Sequence, residues 1–297
     1  MATIRVSIRL PHLLLIPSGE YPTPALGGSV HLAVDTLSKL EGTPQTRASS
    51  LFEARNADDA DSTERQRTGE ADRLLRRVNF LLRWHRVVTK QMALTEVTRA
   101  QASPFYFSIE GTSEAWGSDE PLKFESFFPS PPTGSQATHG EEVRKGLATS
   151  ADPDVARLNL LDAEYALSIG RFREAVLLCW AAIDSTFNSK FKAIVDDRVG
   201  DEWADGLKFL KGMDFGLRHK MTIGMRLLTG RSLFKVEPEG SWEEISTSYG
   251  QRNKIIHEGQ VAHEDDAKLA IKAARTVLRF VEDLNKERTE PSPEAGG

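Results

Sequence analysis

Along residues 3–10 apolar and polar side chains alternate, with Ile4, Val6, Ile8 and Leu10 on one side. A period of two is the signature of a half-buried strand. Residues 30–34, 105–109 and 122–127 carry further strand signals. Between the first and second of these, the stretch that follows residues 58–61 and reaches about Lys90 changes to helical spacing. Its apolar positions are Leu74, Val78, Leu81, Leu82 and Val88, one stripe of an amphipathic helix. Residues 1–128 therefore predict a small α+β domain.

The texture then changes. Residues 129–151 open on a Pro/Gly/Ser-rich run and continue polar without a clear period, which predicts a linker. From 152 onward the pattern is helical. Asp152 is read as an N-cap with Pro153 at the first helical position. Leu158, Leu161, Tyr165 and Ile169 form one stripe that stops at Gly170. Val176, Trp180, Ile183, Phe187 and Ile194 form a second. A third helix includes 221–228. A fourth begins near Ser241 and places Trp242, Ile245, Tyr249, Arg252 and Ile256 on one side. A fifth, about 265–285, turns Ala270, Ala274, Val277, Val281 and Leu284 inward. Short connections predict an all-α antiparallel helical bundle over 152–288, followed by a disordered tail at 289–297.

Composition narrows the setting. The 297 residues are 39% hydrophobic and 27% charged, the mix of a folded globular chain, and they bear a net charge of −5. No global basic field draws in nucleic acid, so any such contact is local. The single cysteine, Cys179, sits in an apolar helical pattern and reads as a buried thiol rather than a nucleophile. The longest apolar run, at 13–16, is far too short for a bilayer, and the first residues lack the apolar segment of a signal peptide. A cytoplasmic protein without membrane contact is expected.

Candidate chemistry concentrates near the end of the fourth helix, in Arg252-Asn253-Lys254-Ile255-Ile256-His257. Asn253 and His257 are four apart and share a helix face, and the long Arg252 side chain reaches toward the same place. Histidine exchanges a proton near neutral pH, guanidinium grips phosphate oxygens, and a carboxamide orients either. The alternative is structural: His257 meeting the last helix carbonyls and Arg252 pairing with a carboxylate.

The segment Gly170-Arg171-Phe172-Arg173-Glu174-Ala175-Val176, leading to Ala181-Ala182-Ile183-Asp184, resembles the opening helices of the HEPN family. The fourth helix ending Arg-Asn-x-x-x-His-x-Gly and the Ala-rich closing helix extend the resemblance over about residues 155–285. It implies a small helical bundle, a homodimer and metal-independent endoribonuclease activity, with Arg252 and His257 as the catalytic pair and Asn253 as their polar neighbour. HEPN toxins silenced by a partner nucleotidyltransferase often carry tyrosine two residues after the histidine. Gly259 stands there in this chain, which argues against that control. Other HEPN domains bind without cleaving, which gives the alternative expectation of a module for RNA, nucleotide or protein.

Asp184 lies beside its helix's apolar stripe, and a half-buried carboxylate needs a partner. Either it contacts Arg252 or His257, or it serves an unrelated ion pair. Residues 206–235 carry Lys208, Lys211, Arg218, Lys220, Arg226, Arg231 and Lys235 against one acid, Asp214. This is a candidate RNA-tracking surface, with a solvated face as the alternative. Arg73, Arg76, Arg77, Arg83 and Arg86 read as the exposed flank of the N-terminal helix. The run at 263–266 is explained by acids opening the last helix, and neither a metal nor an organic cofactor is expected.

Overall fold

The computed structural model describes residues 3–10, 14–35, 45–53, 60–102, 105–109, 115–116, 136–198, 216–236 and 238–289. The strand signal at 122–127 lies outside them. The chain divides into two compact units, Met1–Pro153 and Asp154–Gly297.

The first unit is α+β. Strands β1 (Thr3–Arg9), β2 (Gly19–Pro22), β3 (Ser29–Asp35), β4 (Gln45–Glu53), β5 (Tyr106–Ile109) and β6 (Ala115–Trp116) form one sheet in the order β2-β3-β4-β1-β5-β6. Every neighbouring pair is antiparallel. Ile4, Val6 and Ile8 face the core as the alternation requires, and the long helix α1 (Ala60–Thr89) adds Leu74, Val78, Leu81 and Leu82. β4 pairs Ala48 with Ile8 and Ser50 with Val6, so small residues occupy its core side. A short helix α2 (Arg99–Ala102) follows α1.

Three expectations are corrected here. Within the span expected as linker, Gln136–Ala148 folds as helix α3 and belongs to this unit. Val143 and Leu147, one turn apart, enter the core, and the Trp84 ring lies against Gly146. So narrow a stripe leaves little mark in a polar sequence. The arginine flank of α1 is also not uniformly exposed: Arg77 and Arg86 are buried. Finally, Asp154 rather than Asp152 caps the next helix, accepting the Ala156 N–H at 2.9 Å, while Asp152 pairs with Arg83 at 2.7 Å.

The second unit is helical: α4 (Val155–Ser168), α5 (Phe172–Arg198), α6, α7 (Ser241–His257) and α8 (Glu264–Thr289). We use α6 for a composite of Leu217–His219, a π-helical turn at Lys220–Gly224, and Met225–Thr229. α4 closes with the Arg171 N–H reaching back to the Ala166 carbonyl at 2.8 Å, and three residues turn the chain into α5. The stripes expected in α5 and α8 are buried as read: Val176, Trp180, Ile183, Phe187 and Ile194 meet Ala270, Ala274, Val277, Val281 and Leu284. Two stripe ends differ. Ile169 is exposed beyond the end of α4, and Ile255 takes the core position expected for Ile256. On α7 the inward residues are Ser241, Ile245, Ser248 and Ile255.

Candidate functional site

The site is organised by the way α5 meets α7. The Trp180 indole N–H donates to the Ser248 hydroxyl at 3.1 Å, and its ring stands edge-on to Tyr249 at 5.2 Å between centroids. A buried tryptophan with its polar atom satisfied fixes both distance and register. One turn further along α5 comes Asp184. On α7 the spacing Ser241, Ile245, Ser248, Arg252, Ile255 continues the inward stripe, so Arg252 occupies a core-side position and is half-buried.

Arg252 donates from Nη1 to the Asn253 Oδ1 at 2.9 Å. Its charge also acts on Asp184. Burial pushes the Asp184 carboxyl above the ordinary range, and the charges of Arg252 and Lys220 pull it part of the way back. Lys220 comes from the π-helical turn of α6 and donates to Asn188 Oδ1 at 3.3 Å. Single π turns inside α-helices recur at functional sites. The result is a carboxylate, two cations and two carboxamides drawn from three helices. Arg252 and Asp184 thus act on one another through their charges.

His257 is the last residue of α7 and is exposed. The Glu258 and Gln260 N–H groups both return to the Lys254 carbonyl, at 3.0 and 3.3 Å, and Gly259 supplies the left-handed turn (φ 69°) that ends the helix. Five residues separate Arg252 from His257, a rotation of about 140° on an α-helix. Within one chain, Arg252 therefore groups with Asn253 and Asp184, while His257 stands on the solvent flank.

Of the seven basic residues expected to track RNA, Lys208 and Lys211 lie outside the described residues. The other five divide between the Asp184 cluster and two cavities that share Arg226 and Lys235. Lys220 belongs to the Asp184 cluster. Arg218 and Arg226 border a cavity of about 610 Å³ with His219, Phe234 and Trp242. Arg226 and Arg231 border a second cavity, of about 530 Å³, with Lys235, Arg279 and a single acid, Asp283. Phe234 is exposed, its ring 6.2 Å from that of Trp242, and the Arg218 guanidinium lies over the Trp242 ring at 5.7 Å. Cations beside open aromatic faces suit unstacked bases and backbone phosphates. Phe234, Trp242 and Arg279 escaped the sequence reading. Trp242 falls on the stripe of α7 and so reads as core in the sequence, and Arg279 lies outside the basic run.

The remaining candidates have plainer roles. Cys179 is buried, and burial pushes its thiol up to about 12. Asp266 accepts the His263 N–H at 2.9 Å, closing the start of α8. Among the described residues no group of three or more His, Cys, Asp or Glu side chains is placed to hold a metal ion, and no helix is long and apolar enough to cross a membrane. A scan against protein-family models finds no match to the chain, and searches of curated proteins and of solved structures find none either.

Proposed function

We propose that the second unit is a HEPN-type bundle that cleaves RNA without a metal, working as a two-fold homodimer, with the first unit sensing or regulating it. A toxin or antiviral-defence role in the cytoplasm suits such an arrangement, as does a regulatory protein partner. The observation that carries the reading is the order of groups at the end of α7. An arginine is oriented by the neighbouring carboxamide of Asn253 and balanced by Asp184, and an exposed histidine follows one turn later.

In this reading His257 takes the proton from a ribose 2′-hydroxyl, and the resulting oxygen attacks the adjacent phosphorus. Arg252 stabilises the charge that builds on the phosphoryl oxygens, and Asn253 holds the guanidinium in position. The bond to the 5′-oxygen breaks and that oxygen is protonated, leaving a 2′,3′-cyclic phosphate and a 5′-hydroxyl. As the resemblance to HEPN domains implies, the working pair is assembled across the two-fold axis from both protomers, which suits the divergence of Arg252 and His257 around the helix.

A second reading has its own support. The basic and aromatic cleft near Trp242 lies at the opposite end of α7 from His257, about 22 Å along the axis at the α-helical rise. A cleft so placed suits a non-catalytic module that holds RNA, with Arg218 and Phe234 as its contacts. The two readings separate in one experiment: mixed RNA is incubated with the protein in EDTA, and strand ends are analysed for wild type and His257→Ala. Cleavage that disappears with the histidine supports the nuclease. Binding without cleavage, unchanged by the substitution, supports the module.

A further inference from the structure

Arg77 is the least expected charge in the first unit. It sits mid-way along α1 at 7% exposure, and a guanidinium so enclosed requires compensation. Among the described residues its hydrogen bonds go to neutral acceptors: the Leu26 carbonyl at 3.4 Å, the Ser50 hydroxyl at 3.3 Å, and the Gly27 carbonyl. Glu70 acts on it through its field, but that carboxylate is bonded to Arg73, and the charges of Arg73 and Arg76 oppose it. Each guanidinium nitrogen has one acceptor among the described residues, and the five N–H bonds of the group exceed those three acceptors by two.

The surroundings are built to keep the group there. Gly28 has a φ of 151°, and a Cβ at that position would come within 2.7 Å of Arg77 Nη2. Glycine thus supplies both the turn and the room for the guanidinium. Beyond the His31–Ser49 pair, β3 and β4 are no longer paired, while β1 continues alongside β4. The notch left at this point is a cavity of about 340 Å³ whose walls include Arg5, Ser29, His31, Ser49 and Arg77, with Glu20 as its one acid.

We propose that this notch is a binding site for a small phosphorylated molecule, the phosphate completing the hydrogen bonding of Arg77 and meeting Arg5, His31 and the serine hydroxyls. Phosphate fits because it accepts from a guanidinium, an imidazole and hydroxyls together. The volume exceeds one phosphate and falls at the small end of ligand cavities, so the remainder of the ligand is of mononucleotide size or below. The proposal is independent of the ribonuclease reading, since every residue in it belongs to the first unit.

The test is calorimetric titration of the full chain with inorganic phosphate and with AMP at constant ionic strength, with acetate as a carboxylate arm. Two variants are compared. Arg77→Met removes the buried charge at nearly constant length, and His31→Ala alters an exposed wall residue that folding does not need. The expected result is one saturable site for AMP and a weaker one for phosphate. Affinity falls about tenfold in His31→Ala, in line with the loss of one charge-assisted bond, and binding is lost in Arg77→Met. No saturable binding of either probe by wild type overturns the proposal. So does binding unchanged in His31→Ala, which decides the matter if Arg77→Met fails to fold. Acetate binding as tightly as phosphate overturns the choice of phosphate.

Discussion

Arg77 in the first unit and Asp184 in the second are both ionisable groups drawn out of water, and they are compensated in opposite ways. Asp184 stands in the field of two cations, Arg252 and Lys220, and each of those is steadied by a carboxamide, Asn253 or Asn188. Those cations offset part of the cost of burial, which still holds the carboxyl above its ordinary range. Among the described residues Arg77 hydrogen-bonds to carbonyls and a hydroxyl, with Glu70 acting through its field, beside a notch. The contrast separates two kinds of site. One is compensated in part by cations of the protein itself, drawn from neighbouring helices. The other leaves donors that a ligand from outside can complete.

The comparison is open to attack at several points. The largest effect is expected from Trp180→Ala. Trp180 stands one turn before Asp184 and couples α5 to α7 through Ser248 and Tyr249, so its loss removes core volume and the register that brings Asp184 opposite Arg252. Urea unfolding should show a loss of about 3–5 kcal/mol. A loss below about 1 kcal/mol would mean that this junction does not hold the cluster.

Gly28→Ala should come next. The added Cβ strains a positive-φ backbone and meets the Arg77 guanidinium, at a cost of about 1–3 kcal/mol in chemical unfolding. A neutral outcome would show that Arg77 is free to move and that its burial is not enforced.

The smallest effect is the pH dependence of Asp184→Asn. Burial raises the folded carboxyl above its ordinary value of 3.8. As pH climbs from 3.8 toward that raised value, the unfolded chain gives up the proton first, so the wild type loses stability across this window and is level above it. The asparagine variant should lack that fall. Because the group is only half-buried, the difference should stay below about 1 kcal/mol. Unfolding midpoints that track each other from pH 3 to 6 would contradict the account.

Much of this architecture is visible in the order of residues, and the exceptions have physical causes. The helical stripes of α5 and α8 are broad and aliphatic, so their periods survive inspection. β4 is nearly silent because its core side is Thr46, Ala48, Ser50 and Phe52, mostly small or hydroxyl-bearing where the apolar pattern should be. α3 escaped because two apolar residues, Val143 and Leu147, suffice to anchor it among charged neighbours. At the site, the nearness of Asp184 to Arg252 follows from two helices whose inward faces can be read. The roles of Lys220 and Arg77 could not be read. One depends on a π turn, and the other on a glycine at a sheet notch far away in sequence.

The central claim is that α7 carries a cleavage centre, and RNA itself tests it most directly. Single-stranded RNA incubated with the full chain in EDTA should be cut to fragments bearing 2′,3′-cyclic phosphate and 5′-hydroxyl ends. His257→Ala, with an unchanged thermal midpoint, should lose about 10²–10⁴-fold in rate, the range of general acid–base catalysis. RNA left intact by the wild type, or cut equally well by the alanine variant, would contradict it.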